Sequence, residues 1–170
     1  MNREGSSRVK RHDMELFKGH FVALSRHVAR VVGTEVPAFD WSADWSARAR
    51  KASIEQRGEL DKANVELEEC SRVLAQSRRV WETGKDVLKE LDSLLKTFGE
   101  WLAVLVEINF VSRKEDPSAE LGKLRKLFGR NRELAAKLEG QAEKALDRVE
   151  SEVGVRITAE ELGLEGTGEG

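Results

Sequence analysis

The residue types in this 170-residue sequence that could support chemistry are three histidines, one cysteine and a Thr-Gly-Lys motif. The motif, Thr83-Gly84-Lys85, matches only the last part of a phosphate-binding loop. Arg79 stands where such a loop needs its first glycine, and no strand pattern precedes it. We therefore expect no nucleotide site here.

The histidines His12, His20 and His27 lie seven or eight residues apart. One helix brings two ligands to the same metal at a spacing of four, whereas His20 and His27 would lie about 10 Å apart along the helix axis. We expect these side chains to be hydrogen-bonded or solvated. Metal ligation is the less favoured alternative.

The single cysteine, Cys70, cannot form an internal disulfide and has no base beside it in the sequence. Its position in an apolar seam predicts a small buried hydrophobe, and a nucleophile paired with a histidine of the first helix is the alternative. The carboxylates are dispersed among lysines and arginines, which is typical of a solvated helix face. We predict no catalytic residue, no metal site and no cofactor.

A seven-residue repeat between about residues 45 and 112 positions Cys70 and the Thr-Gly-Lys motif, whereas the three histidines precede it in the N-terminal region. One apolar column recurs every seven residues and a second follows three residues behind it, as in a coiled-coil seam. The first column consists of Leu60, Leu67, Leu74, Trp81, Leu88, Leu95 and Leu102. With 35% charged residues, 6% aromatics and two prolines, the chain is predicted to be all-α.

A third apolar column, named the outer column below, begins partway along the same pattern. If the chain is extended, no other segment reaches it, and six large apolar side chains left in water would form an aggregation-prone stripe. We therefore predict an interface with a second copy, a homodimer being favoured, or with a helical protein partner. The outer column consists of Val73, Val80, Val87, Leu94, Trp101 and Ile108.

The pattern of residues 118–153 predicts a helix that returns antiparallel along 45–112, with Leu95 facing Ala135 and Leu88 facing Ala142. Together they would form a long coiled-coil hairpin, accompanied by a shorter N-terminal amphipathic helix. The alternative is a compact four-helix bundle with a break near Gly84. An interior glycine costs only about 1 kcal/mol relative to alanine, and the columns keep phase across Gly84, which favours the unbroken helix.

We predict three regions: a basic disordered arm over residues 1–12, a single helical domain over 13–154, and an acidic glycine-rich tail over 155–170. The tail contains a capping-box spacing from Thr158 to Glu161, which could start one short turn. Without a secretory signal pattern and with one cysteine, the chain is expected to be cytoplasmic.

The seam and the uncovered column favour a non-enzymatic helical scaffold, adaptor or structural subunit that acts through coiled-coil self-association and protein–protein interaction. Trp41, in a short connector, and Trp45, at the start of the long repeat, are the candidate partner anchor, because tryptophan is enriched at binding hot spots. Packing of both indoles where the first helix turns back onto the second is the favoured interpretation of this pair.

Two other functions remain as alternatives, and both use the basic N-terminal region. A basic amphipathic helix can lie on a membrane surface, and a basic arm can bind nucleic-acid phosphates. The net charge of −2 argues against nucleic acid as a general partner. The residues predicted for lipid or nucleic-acid contact are Lys10, Arg11, Phe17, Phe21, Arg26 and Arg30.

Overall fold

The structure is a computed structural model that describes residues 3–33, 45–112 and 121–163. Within these ranges the chain forms four helices. They are α1 (Arg3–Gly33), α2 (Trp45–Val80), α3 (Lys85–Ser112) and α4 (Leu121–Val153). The described residues form an all-helical bundle, which confirms the predicted all-α class. None of the described helices is long and apolar enough to cross a membrane.

A tight turn over residues 81–84 separates α2 from α3. Gly84 has a φ of 77°, in the left-handed region where a residue with a side chain is strained, and Trp81 turns its indole into the core. The prediction of one unbroken helix over 45–112 is corrected accordingly. Both helices of a hairpin carry an apolar stripe with the same seven-residue spacing. Apolar columns that continue in phase across a turn are therefore compatible with one helix or with two.

α2 and α3 run antiparallel from this turn. Close to the turn, Arg78 forms an ion pair with Asp92 at 2.6 Å. At the far end, the Asn109 side-chain amide donates to the main-chain carbonyl of Ser53 at 2.6 Å. Because these contacts lie at opposite ends of the pair, the two helices are in register over most of their length.

α1 packs antiparallel on α2 and reaches the 81–84 turn. Gln56 donates to the Val31 carbonyl at 3.1 Å at one end, and Lys10 donates to Thr83 Oγ1 at 2.6 Å at the other. This reach is possible because α1 begins at Arg3. The prediction that residues 1–12 form a disordered arm is therefore corrected for residues 3–12, which are helical.

α4 returns antiparallel along α3, and its first part lies in the predicted register. Lys123 pairs with Glu107 at 2.8 Å and Arg130 pairs with Glu100 at 3.6 Å, so seven residues forward on α4 correspond to seven back on α3. The predicted facing of Leu95 and Ala135 belongs to this register, and both residues belong to the main core or pack against it.

Aromatic side chains join α1 to α3 at the centre of the core. Phe17 and Phe21 stack with ring centroids 5.3 Å apart, and Phe21 meets Phe98 edge-on at 5.9 Å. Phe98 also lies 5.6 Å from Trp101. Each fully buried side chain of this size contributes about 1.5–3 kcal/mol of hydrophobic stabilisation, so these rings help to hold α1 on the core.

Residues 154–163, named the closing segment below, continue the packed region after α4. Gly154 ends α4 with a φ of 78°, as its position in the sequence predicts. Val155, Ile157 and Leu162 are 2%, 8% and 3% exposed, so this part of the predicted tail lies in the core. The packed region therefore extends beyond residue 154, the predicted end of the helical domain.

Candidate functional site

The flank of α1 that faces away from α2 binds the closing segment. Lys18 and Ser25 lie seven residues apart on this flank, which is two helical turns, and Arg26 follows directly. The opposite edge of α1, which carries His20 and His27, faces α2. α1 therefore holds a helix on one side and a mostly non-helical segment on the other.

Three α1 side chains donate hydrogen bonds to main-chain carbonyls of the closing segment. Lys18 Nζ donates to the Arg156 carbonyl at 2.8 Å and Ser25 Oγ to the Leu162 carbonyl at 3.0 Å. Arg26 Nε donates to the Glu161 carbonyl at 2.7 Å. Main-chain carbonyls are common to every residue type, so these bonds recognise the path of a backbone, whatever its side chains.

The α1 flank distinguishes between segments by the side chains that become buried beside it. The side chains of Val155, Ile157 and Leu162 all belong to the main core cluster. Ser25, at 4% exposure, is among the few buried polar side chains, and its bond to the Leu162 carbonyl satisfies it. The flank thus combines aliphatic burial with donors for carbonyl groups.

A capping box shapes the second half of the closing segment. Glu161 N donates to Thr158 Oγ1 at 3.2 Å, and Thr158 N donates to Glu161 Oε1 at 3.4 Å. This reciprocal pair confirms the short turn that the Thr158 to Glu161 spacing predicts. The turn aims the Leu162 carbonyl at Ser25 and the Glu161 carboxylate at Lys18.

The site carries one ion pair, between Lys18 and Glu161 at 2.8 Å. The hydrogen bond from Lys18 lowers the pKa of the Glu161 carboxyl below its ordinary value, and the hydrogen bond from Thr158 adds to this effect. The pair is partly exposed to solvent, so it contributes little to stability and more to the orientation of the segment.

The backbone of the closing segment approaches α1 closely at Gly163. A Cβ atom added there would lie 3.5 Å from Arg26 Cγ and 3.8 Å from Ala29 Cβ, and Gly163 has a φ of 76°. The segment therefore follows α1 from Arg11, beside Gly154, to Ala29, beside Gly163. At 1.5 Å per residue this is about 27 Å of helix.

The outer column lies almost entirely inside the chain's own core. Five members are at most 9% exposed, while Val80 is 52% exposed. The five buried members are Val73, Val87, Leu94, Trp101 and Ile108. The premise that no other segment covers the column is therefore corrected, because the turn at 81–84 folds α3 back along α2 and α4 packs on α3. Self-association itself stays a prediction.

The predicted partner anchor cannot be placed. Trp41 lies outside the described residues. Trp45 is the first residue of α2, and its side chain also lies outside the description. The role of both tryptophans stays a prediction.

Most residues predicted to contact lipid or nucleic acid are engaged within the bundle. Phe17 and Phe21 are core residues, so contact with lipid would require α1 to leave its place. Lys10 lies over the Trp81 ring at 5.6 Å. Arg26 binds the closing segment, and Arg30 lies 3.5 Å from Glu59. Arg11 is exposed, next to Gly154.

The histidines at the contact of α1 with α2 are hydrogen-bonded, in line with the favoured sequence interpretation. His20 Nδ1 lies 2.7 Å from Glu66 Oε2, and His27 Nδ1 lies 2.6 Å from Glu59 Oε2. Across the described ranges, no group of three or more His, Cys, Asp or Glu residues is placed to hold a metal ion.

The Cys70 thiol is buried in the core, as its place in the seam predicts. Burial raises its pKa strongly, and the nearby carboxylates of Glu66 and Glu69 raise it further. The thiol is therefore held protonated, which does not favour the alternative of a nucleophile paired with a histidine.

The α1 flank was missed by sequence reasoning, because its donors Lys18, Ser25 and Arg26 look like ordinary surface residues of an amphipathic helix. The usable signal lies in the segment instead: Val155 and Ile157 alternate with polar residues before the capping box.

No protein-family model, curated protein or solved structure matches this chain.

Proposed function

We propose that this protein is a non-enzymatic helical adaptor whose α1 flank binds an extended segment of another protein. One observation supports the proposal: the closing segment lies on α1 in the manner of a bound peptide. Three α1 side chains donate to its main-chain carbonyls, and three of its aliphatic side chains are buried. Peptide-binding proteins combine such main-chain bonds, for affinity, with apolar pockets, for specificity.

The same contacts limit the affinity to be expected. Burial of the three aliphatic side chains contributes about 1.5–3 kcal/mol of favourable free energy for each of them. Association costs several kcal/mol in lost translational and rotational freedom, and the hydrogen bonds largely replace bonds to water. We therefore expect a dissociation constant in the micromolar range or weaker, which suits reversible binding by an adaptor.

Fluorescence anisotropy tests the proposal. A labelled peptide with the sequence of residues 154–163 would be titrated with the full chain carrying Ile157→Asp and Leu162→Asp, two substitutions that expel the chain's own segment from the core. We expect saturable binding to this opened chain. Absence of saturable binding, while circular dichroism still shows a helical protein, would contradict the proposal.

A matched pair of arginine substitutions in the opened chain locates the binding. Arg26 donates to the closing segment, whereas Arg30, on the same helix, contacts His27 and Glu59. We expect Arg26→Ala to weaken peptide binding several-fold and Arg30→Ala to leave it nearly unchanged. Equal effects would place the peptide elsewhere.

Self-association and a cytoplasmic location both stay predictions. A homo-oligomer would need a surface other than the five buried members of the outer column, and Val80 is the one member still exposed. Light scattering over a concentration series measures the mass directly. The mass of a single chain at every concentration would contradict self-association.

A further inference from the structure

We infer that the closing segment is an autoinhibitory occupant of the α1 flank, which a partner segment of similar chemistry must displace. The inference rests on the proposed function, because it concerns the regulation of the same site. Its physical basis is that the flank is fully used within one chain: Lys18, Ser25 and Arg26 already donate to the segment.

The contacts of the closing segment define the chemistry of the partner. Two aliphatic side chains two residues apart, as in Val155 and Ile157, match the alternation of an extended strand. A third aliphatic side chain follows one turn later at Leu162, and a carboxylate at Glu161 meets Lys18. The fitting partner is therefore an acidic protein segment with an aliphatic-x-aliphatic sequence before a capped turn.

Departure of the closing segment costs the burial of its three aliphatic side chains but keeps the contacts between the helices. It joins α4 at Gly154, whose φ of 78° makes an abrupt turn. Its polar contacts to Lys18 and Arg26 are partly exposed, so water can replace them at little cost. The contacts that join the helix pairs, such as Gln56 to Val31 and Lys123 to Glu107, do not involve the segment.

The tether makes the closing segment a strong competitor. A segment joined to its site by a short linker has an effective concentration of the order of millimolar, so a free peptide with a micromolar dissociation constant is at a disadvantage. We therefore expect the wild-type chain to bind the peptide at least about tenfold more weakly than a chain whose own segment is expelled.

The experiment compares the labelled peptide of residues 154–163 on three full-length chains: wild type, Ile157→Asp with Leu162→Asp, and Gly154→Val. The glycine substitution keeps every side chain of the closing segment but strains its turn, because an added Cβ would lie 3.4 Å from an Arg11 nitrogen in a left-handed backbone. We expect the doubly substituted chain to bind most tightly, the wild type most weakly, and Gly154→Val to lie between them.

Hydrogen–deuterium exchange of the wild-type chain provides a measurement without substitutions. Saturating unlabelled peptide should speed amide exchange in residues 155–162 of the chain while exchange within α3 stays unchanged. Unchanged exchange in the closing segment at saturating peptide would overturn the inference.

The outcomes separate the inference from the proposed function. Equal affinity of all three chains for the peptide would overturn autoinhibition while the adaptor proposal stands. No binding to any helical variant would overturn the adaptor proposal, and the inference with it. A peptide carrying Glu161→Lys that binds the opened chain as tightly as the original peptide would overturn the acidic character assigned to the partner.

Discussion

His27 and Glu59 tie α1 to α2 through a single short contact of 2.6 Å, with Arg30 beside the same carboxylate. The hydrogen bond from His27 lowers the pKa of the Glu59 carboxyl below its ordinary value, and the charges of His27 and Arg30 add to the effect. A carboxyl whose pKa is lowered on folding stabilises the protein above its unfolded pKa. That stabilisation is lost as the pH falls through the folded value.

Glu59→Gln should therefore destabilise the protein by about 1 kcal/mol near neutral pH, and the deficit should shrink toward zero at low pH. Urea unfolding of both chains at about pH 6 and about pH 3 measures the difference. Glu68→Gln, at an exposed glutamate of the same helix, is the matched control and should show little change. The same deficit at both pH values would contradict the assigned role of Glu59.

At the scale of the elements, Gly84 decides whether α2 and α3 are one helix or two. In the left-handed backbone of the turn, alanine costs about 1–2 kcal/mol, whereas inside a helix it would stabilise the protein by about 1 kcal/mol. Gly84→Ala should therefore lower the free energy of unfolding. Gly140→Ala, within α4 and with open space around an added Cβ, should raise it.

Chemical unfolding of both glycine variants measures these opposite signs. Stabilisation by both substitutions would mean that residues 81–84 are helical in solution, contrary to the structure.

The packed closing segment is expected to add to the free energy of unfolding of the chain. Leu162 is 3% exposed, so Leu162→Ala should cost about 2–5 kcal/mol in the free energy of unfolding. Leu16→Ala, at a leucine of α1 that is 46% exposed, is the control and should cost less than about 1 kcal/mol. Equal costs in urea unfolding would show that the segment does not pack on α1 in solution.

The helices themselves were largely predictable. Gly154 ends α4 as its position indicates, and the register at the start of α4 follows from the short return after residue 112. The sequence alone favours an unbroken helix over a break at 81–84, because one interior glycine destabilises a helix only moderately and the apolar columns keep their seven-residue spacing across Gly84. Tertiary contacts hold the turn that Gly84 permits: Asp13 accepts from the Trp81 indole at 2.8 Å, and Lys10 donates to Thr83.

At the scale of the whole molecule, the seven-residue spacing of the apolar columns identifies which residues are buried but not which helices cover them. Val87, Leu94 and Trp101 were predicted to be covered, and they are, but by the chain's own helices. The α1 flank was not predictable for a related reason. Lys18 and the Arg156 carbonyl lie 138 residues apart, and no local pattern encodes so distant a contact.

Closure of the core within one chain is tested most directly by a distance across the fold. Spin labels on Ile54→Cys and Val106→Cys, both exposed sites, would report the separation of α2 from α3, while the buried Cys70 stays unlabelled. Dilution with unlabelled chain restricts pulsed electron spin resonance to distances within one molecule. Neighbouring helix axes lie about 10 Å apart, so the structure predicts a label separation below about 30 Å. A separation near 80 Å, the rise of one continuous helix at about 1.5 Å per residue, would contradict it.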